Sequence, residues 1–170
     1  MSVNITSLFI QRTFLETKKI MILPQLAIGT ILILLTVVVH ALILDRVMVF
    51  LDEWGPEFFK RFKRIWKSSI ISFAVLCAFV SHIIQILIWA FFYIEVGVFD
   101  DFEIALYFST TTYTTVGYGD VFLDKDWRLI SAFQSANGLL LFGWSAAFIF
   151  EVMSKLYKRD TISKTEDNNV

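Results

Sequence analysis

Apolar residues fall along this chain in three long blocks, 20–44, 69–94 and 130–153, each with few charges. A helix that crosses the hydrocarbon of a bilayer needs about 20 predominantly apolar residues, and every block is long enough. Polar residues gather in the connections 45–68 and 95–129 and in the tail 154–170. The pattern predicts an all-α integral membrane fold with three transmembrane helices. Its divisions are an N-terminal segment and first span (1–44), a linker (45–68), two spans with a long connection between them (69–153) and a disordered polar tail (154–170).

Less apolar positions inside the blocks are patterned too. Gln25, Gly29, Thr36 and His40 share one narrow face of the first helix, and Ser81, His82 and Gln85 mark a face of the second. Two such stripes are expected to meet as interhelical hydrogen bonds. A second reading, in which His40 or His82 senses pH, stays open. In the linker, Phe58, Phe59, Phe62, Ile65 and Trp66 recur on one helical face, with Lys60, Arg61, Lys63, Arg64 and Lys67 opposite. Gly55-Pro56 predicts a break and a fresh helix start. The expected element is an amphipathic helix lying in the membrane interface, either a simple anchor or a lever acting on the second span.

Composition supports the membrane assignment: 56% of residues are hydrophobic, only 18% are charged and 18 are phenylalanine. A net charge of −1 gives no reason to expect a nucleic-acid partner. The single cysteine, Cys77, lies inside an apolar block and is read as a small apolar filler. The first block lacks a regular arginine series, so no voltage sensor is expected of it. Basic residues crowd the linker and tail, whereas 95–129 holds Lys125 and Arg128 against seven acids, from Glu95 to Asp126. Orientation by flanking basic residues puts the linker and tail in the cytoplasm, with the acidic connection and the N-terminus outside. Arg12, Lys18 and Lys19 pull against that N-terminal placement.

The connection contains "TTTYTTVGYGD", residues 110–120. Irregular backbone at membrane depth is tolerated only where it is buried in protein or lines a watery path. Aiming successive carbonyls to one side of an extended chain requires left-handed conformations, which glycine enters cheaply, and glycine stands at 117 and 119. Thr115 adds a hydroxyl oxygen, while Val116 and Tyr118 are expected to point away and brace the loop. Rings of carbonyl oxygens can replace the hydration shell of K⁺. One chain offers one strand of such a ring, so four copies are expected around an axis. Ahead of the loop, Asp100 or Asp101 as N-cap and Glu103 in the first turn predict a short helix ending near Tyr113, its negative end toward the ion path.

"TTVGYGD" resembles the signature of potassium channels, and the order span, pore loop, span over 69–153 resembles their pore domain. The resemblance implies a homotetramer with a re-entrant pore helix and filter loop, in which Thr115, Val116, Gly117, Tyr118 and Gly119 form the K⁺ sites. It implies that Asp120 sits behind the outer end of the filter. Some bacterial relatives carry a pore-helix glutamate where this chain has Thr111, so a hydrogen bond from Tyr107 to Asp120 is expected instead, as in voltage-gated relatives. In the third span Gly138 matches the hinge position, and Leu139, Phe142, Ala146 and Phe150 are expected to line the cavity, with a gate near Phe150 and Met153. Gly143, Ser145, Ala146 and Ala147 are expected to let helices cross closely.

The expected function is passive, K⁺-selective conduction with no enzymatic step and no cofactor beyond the permeant K⁺. Its partners are K⁺, the lipid bilayer and further copies of the chain, in the plasma membrane of a prokaryotic cell. A non-selective cation channel and a non-conducting scaffold that keeps the loop as structure are the competing readings.

Overall fold

The computed structural model describes residues 5–61, 65–125 and 127–167, with side chains described over 22–54, 65–125 and 127–158. Among them the chain forms four α-helices: α1 (Ile5–Arg61), α2 (Trp66–Glu95), α3 (Phe102–Tyr113) and α4 (Arg128–Asp167). Three carry stretches long and apolar enough to cross a membrane: Ile22–Trp54, Trp66–Glu95 and Arg128–Lys158. At 1.5 Å per residue, the 30 residues of α2 exceed the roughly 30 Å of a bilayer's hydrocarbon.

The three long helices meet in layers. One apolar layer joins Leu44, Val47 and Leu51 of α1 to Trp66, Ile70 and Ala74 of α2 and to Val152 and Leu156 of α4. At the other end, Leu32, Trp89, Tyr93 and Ile130 pack with Ala105, Phe108 and Tyr113 of α3. α2 therefore runs antiparallel to α1 and α4, and α3 is confined to one end of the bundle. Ala74, Ala78 and Ala90 are buried on α2, where small side chains let helices approach closely. Between the apolar layers lies a buried polar belt of Thr36, His40, Ser81, His82, Gln85, Asn137 and Ser145.

Two expectations are corrected. α1 does not break at Gly55-Pro56 but runs on to Arg61. Pro56 removes one ladder bond, to the carbonyl of residue 52. Asp52 is exposed and pairs with Lys155 (3.3 Å), so its carbonyl stands at the level of the Leu51–Leu156 layer but on an open side of α1. The lost bond is therefore tolerable. Of the expected interfacial face, Phe62 and the side chains of Phe58 and Phe59 lie outside what the structure describes. Trp66 belongs to the protein interior, at 4% exposure, and α2 begins with it. The tail departs as well, since α4 is helical through Asp167 rather than disordered. No glycine or proline stands between Met153 and Asp167 to stop it.

Candidate functional site

α3 begins as its sequence predicts. Asp101, in extended conformation, accepts hydrogen bonds through Oδ1 from the backbone N–H groups of Glu103 (2.7 Å) and Ile104 (3.3 Å). This N-cap starts the helix and Glu103 complements its dipole. The helix ends at Tyr113, and the chain beyond it alternates. Thr115 has φ +60°, Gly117 +49° and Gly119 +76°, whereas Val116 and Tyr118 keep negative φ. For a β-branched residue such as Thr115 this conformation costs on the order of 1–3 kcal/mol and persists only where the surroundings impose it. Two bonds to the end of α3 impose it: the Thr115 N–H donates to the Thr112 carbonyl (3.0 Å) and the Gly117 N–H to the Thr111 carbonyl (3.1 Å). Left-handed backbone at Thr115 was not foreseen, because the sequence supplies glycine only at the other two positions.

Asp120 is held from α3. The Tyr107 hydroxyl donates to its Oδ2 at 2.7 Å, and its Oδ1 accepts from the Val121 N–H at 3.0 Å. The hydrogen bond from Tyr107 holds the Asp120 carboxyl below its ordinary range, and the same bond raises the Tyr107 phenol. The sign is that of a depressed carboxylate: the contact is present at neutral pH and is lost as pH falls through the lowered Asp120 value. Thr111 contributes differently from Tyr107. Its hydroxyl turns back onto the Phe108 carbonyl (3.1 Å), so it steadies the loop through its own carbonyl alone. Tyr107→Phe removes the one side-chain donor to Asp120 among the described residues. Ionic current from this variant should decay faster during sustained opening than wild-type current. Unaltered decay would show that the bond does not steady the loop.

Residues 115–120 are exposed, and among the described residues nothing braces Val116 (53% exposed) or Tyr118 (73%). The expected bracing is therefore absent within one subunit. A cavity of about 610 Å³ opens beside the loop, lined by Phe108, Thr111, Thr112, Tyr118, Ser131 and Ser135 among others. On α4, Leu139, Ala146 and Phe150 lie on a face that α1–α3 leave uncovered. Phe142 sits at the edge of that face, its ring 4.4 Å from the His82 ring and 5.5 Å from the Tyr113 ring. Gly138 is not on the uncovered face. It is buried against the end of α3, where a Cβ would lie inside van der Waals contact of the Tyr113 carbonyl oxygen and 3.0 Å from its carbon. The helix is continuous through Gly138, whose visible role is this close contact. Of the four small residues expected to let helices cross closely, Gly143 faces open space, Ala146 and Ala147 are exposed, and Ser145 alone is buried.

The polar belt lies directly behind Tyr113, the last residue of α3. The two stripes do meet: His40 Nδ1 lies 2.9 Å from Ser81 Oγ and 2.8 Å from Gln85 Nε2. Other members turn toward α4. Thr36 accepts a bond from Asn137 Nδ2 (2.8 Å), and Gly29 stands against Phe133. His82 bonds Tyr113 Oη (3.0 Å) and Ser145 Oγ (2.9 Å). One assignment of protons joins Tyr113, Gln85, His40, Ser145 and His82 in a closed circuit, while Asn137 Oδ1 stays without a partner among the described residues. Tyr113 O–H donates to Gln85 Oε1, Gln85 Nε2 donates to His40 Nδ1, and His40 Nε2–H donates to Ser145 Oγ (3.3 Å). Ser145 O–H then donates to His82 Nε2, and His82 Nδ1–H returns to Tyr113 Oη. The loop closes with each histidine carrying one ring proton, as the hydrogen-bonded reading of the stripes requires. Tyr113, Asn137 and Ser145 were missed from sequence; Ser145 was read as packing and Tyr113 only as a helix end.

Long apolar helices here hold a short helix and an exposed loop of alternating backbone handedness between them. The family model described as an ion channel matches residues 69–155, and the chain belongs to that family. Membership places the chain among proteins that pass ions rather than among enzymes. The match covers α2, α3, the loop and α4 to Lys155, and leaves α1 outside. No curated protein and no solved structure matches the chain.

Proposed function

We propose that four copies of this chain surround one axis and conduct K⁺ selectively and passively through a filter built from Thr115 to Gly119. The observation that carries this reading is the alternation of backbone handedness, positive φ at 115, 117 and 119 and negative φ between them. Alternating hands turn successive carbonyls to the same side, the arrangement a cation needs to exchange its water for backbone oxygen. The Thr115 hydroxyl adds a site at the inner end, and Asp120, anchored by Tyr107, stands behind the outer end. Subunit association explains the exposed side chains: Val116, Tyr118, Leu139 and Phe150 are apolar or aromatic surface left open by a single chain. Leu139, Phe142, Ala146 and Phe150 then face a central cavity, and the C-terminal end of α3 points its partial negative charge into it. Ions enter in file and leave by mutual repulsion. The linker beyond Trp54, where the apolar stretch of α1 ends, and the tail face the cytoplasm, and the filter and N-terminus face outward, in a prokaryotic inner membrane.

A site made of carbonyls is held in shape by its ion, so binding and folding are linked. Purified tetramers should melt at higher temperature in KCl than in NaCl of equal ionic strength. The difference approaches about 2.7 kcal/mol once K⁺ is a hundredfold above its dissociation constant. Equal melting in the two salts would argue for the non-selective reading, and a mass other than four subunits would remove the shared axis.

A further inference from the structure

Arg46 is a charged residue inside the first apolar span, Ile22–Trp54. It is exposed, and among the described residues it makes no hydrogen bond or ion pair. Its depth follows from the polar belt. His40 bonds Ser81, which stands at the middle of the 30-residue helix α2. Arg46 follows His40 by six residues, about 9 Å along the axis. Half the hydrocarbon is about 15 Å thick, so the Arg46 backbone lies inside it and the side chain must reach toward a polar partner. An ionisable side chain at such a depth marks a site by default.

Arg46 also lines a groove of about 480 Å³ between α1 and α2. Leu42, Val47 and Phe50 form one wall, and Phe73, Leu76 and Val80 form the other. Apart from Arg46 and the Cys77 thiol, the lining is apolar. Toward the end remote from the filter loop the groove narrows between the Phe50 and Phe73 rings, 5.2 Å apart. There Trp54, half exposed, stacks on Phe50 with ring centroids 6.2 Å apart. Tryptophan on a membrane protein gathers at the level of lipid headgroups. The ordering is that of a lipid: an apolar channel toward the bilayer centre, Arg46 bordering it through its aliphatic stem with a charged head free to swing over the groove, and an interfacial aromatic at the end.

We propose that this groove holds one anionic phospholipid per subunit, with an acyl chain along Leu76 and Val80 and its phosphate on the Arg46 guanidinium. Guanidinium matches phosphate with two parallel hydrogen bonds, which an ammonium does not reproduce. The preference for net negative lipid follows from local charge. Among the groove-lining residues Arg46 is the only charge, and a zwitterionic headgroup would bring a second cation beside it. Asp45, the adjacent acid, is exposed but does not line the groove. Lys67, the nearest basic residue of α2 in sequence, lies over the Trp66 and Tyr157 rings. The proposal requires only that the helices span a bilayer, and stands whether or not the filter selects K⁺.

Native mass spectrometry of the detergent-purified full chain tests it, with phosphatidylglycerol and phosphatidylcholine titrated separately and retained lipids counted per subunit. Wild-type protein should retain one phosphatidylglycerol at concentrations where phosphatidylcholine is lost. Arg46→Gln should weaken phosphatidylglycerol retention about fivefold, the worth of one basic side chain near an anionic surface. It should weaken phosphatidylcholine retention less, because the choline cation already offsets part of the attraction. Arg46→Lys should fall between, and Leu76→Trp, which fills the groove and leaves the charge, should lose retention of both. Equal retention of the two lipids by wild type, or wild-type retention by Arg46→Gln or Leu76→Trp, would overturn the assignment. A wild type that retains no lipid would overturn it too, and would point to a second copy covering the groove. None of these readouts depends on ion conduction.

Discussion

Gly138→Ala should unseat α4 from the end of α3. The methyl group would enter the space of the Tyr113 backbone carbonyl, which cannot rotate aside as a side chain can. The nearest ring atom of Tyr113 is 3.2 Å away, so the new group is blocked on that side too. Relief requires moving either α4 or the last turn of α3, from which the loop at Thr115 and Gly117 hangs. Overpacking of this kind costs about 1–3 kcal/mol, occasionally more. A lower melting temperature and loss of ionic current are expected together, because the same displacement carries the loop with it. Gly143→Ala is the control: nothing lies within 4 Å of its Cβ position in the subunit, so its stability should change little before assembly. If Gly138→Ala melts like wild type and conducts, the close contact does not hold the helices together.

Tyr113→Phe should open the hydrogen-bond loop while leaving its packing intact. The ring still meets His82 and Phe142, at centroid distances of 5.9 and 5.5 Å. What is lost is the hydroxyl that joins His82 Nδ1 to Gln85 Oε1. Both atoms are left unpaired in the interior, and an unsatisfied buried polar group costs about 1–3 kcal/mol. Because the five bonds form one circuit, the loss is not private to Tyr113. A double-mutant cycle on thermal stability with Gln85→Leu should show the second substitution costing less than it does alone. Strict additivity would mean that the side chains act as separate pairs.

The features legible in the sequence share one property: each is written in the local pattern. Three apolar blocks gave the spans because length and hydropathy alone decide what crosses a bilayer. Asp101 and Glu103 gave the start of α3 because capping is a contact within one turn. Polar residues in apolar blocks gave five of the seven belt residues, since Gln85 or His40 inside a membrane helix must find a partner. What lay across the gap was not legible. Gly138 read as a hinge because no pattern says that the Tyr113 carbonyl stands against it. Ser145 read as a small packing residue among Gly143, Ala146 and Ala147, and only the fold brings its hydroxyl between two histidines. Pro56 misled for a related reason: its rule is local, but its cost depends on where the orphaned carbonyl lies. At Thr115 the strained conformation is imposed by bonds to Thr112 and Gly117 to Thr111, against the preference of a β-branched residue.

The central claim is that the alternating backbone of residues 115–119 selects K⁺. Its most direct test is the reversal potential of the purified protein in planar bilayers, with KCl on one side and NaCl on the other. The account predicts reversal close to the K⁺ equilibrium potential. Clear current reversing near zero would contradict it, leaving an ion channel whose loop does not discriminate between the two cations.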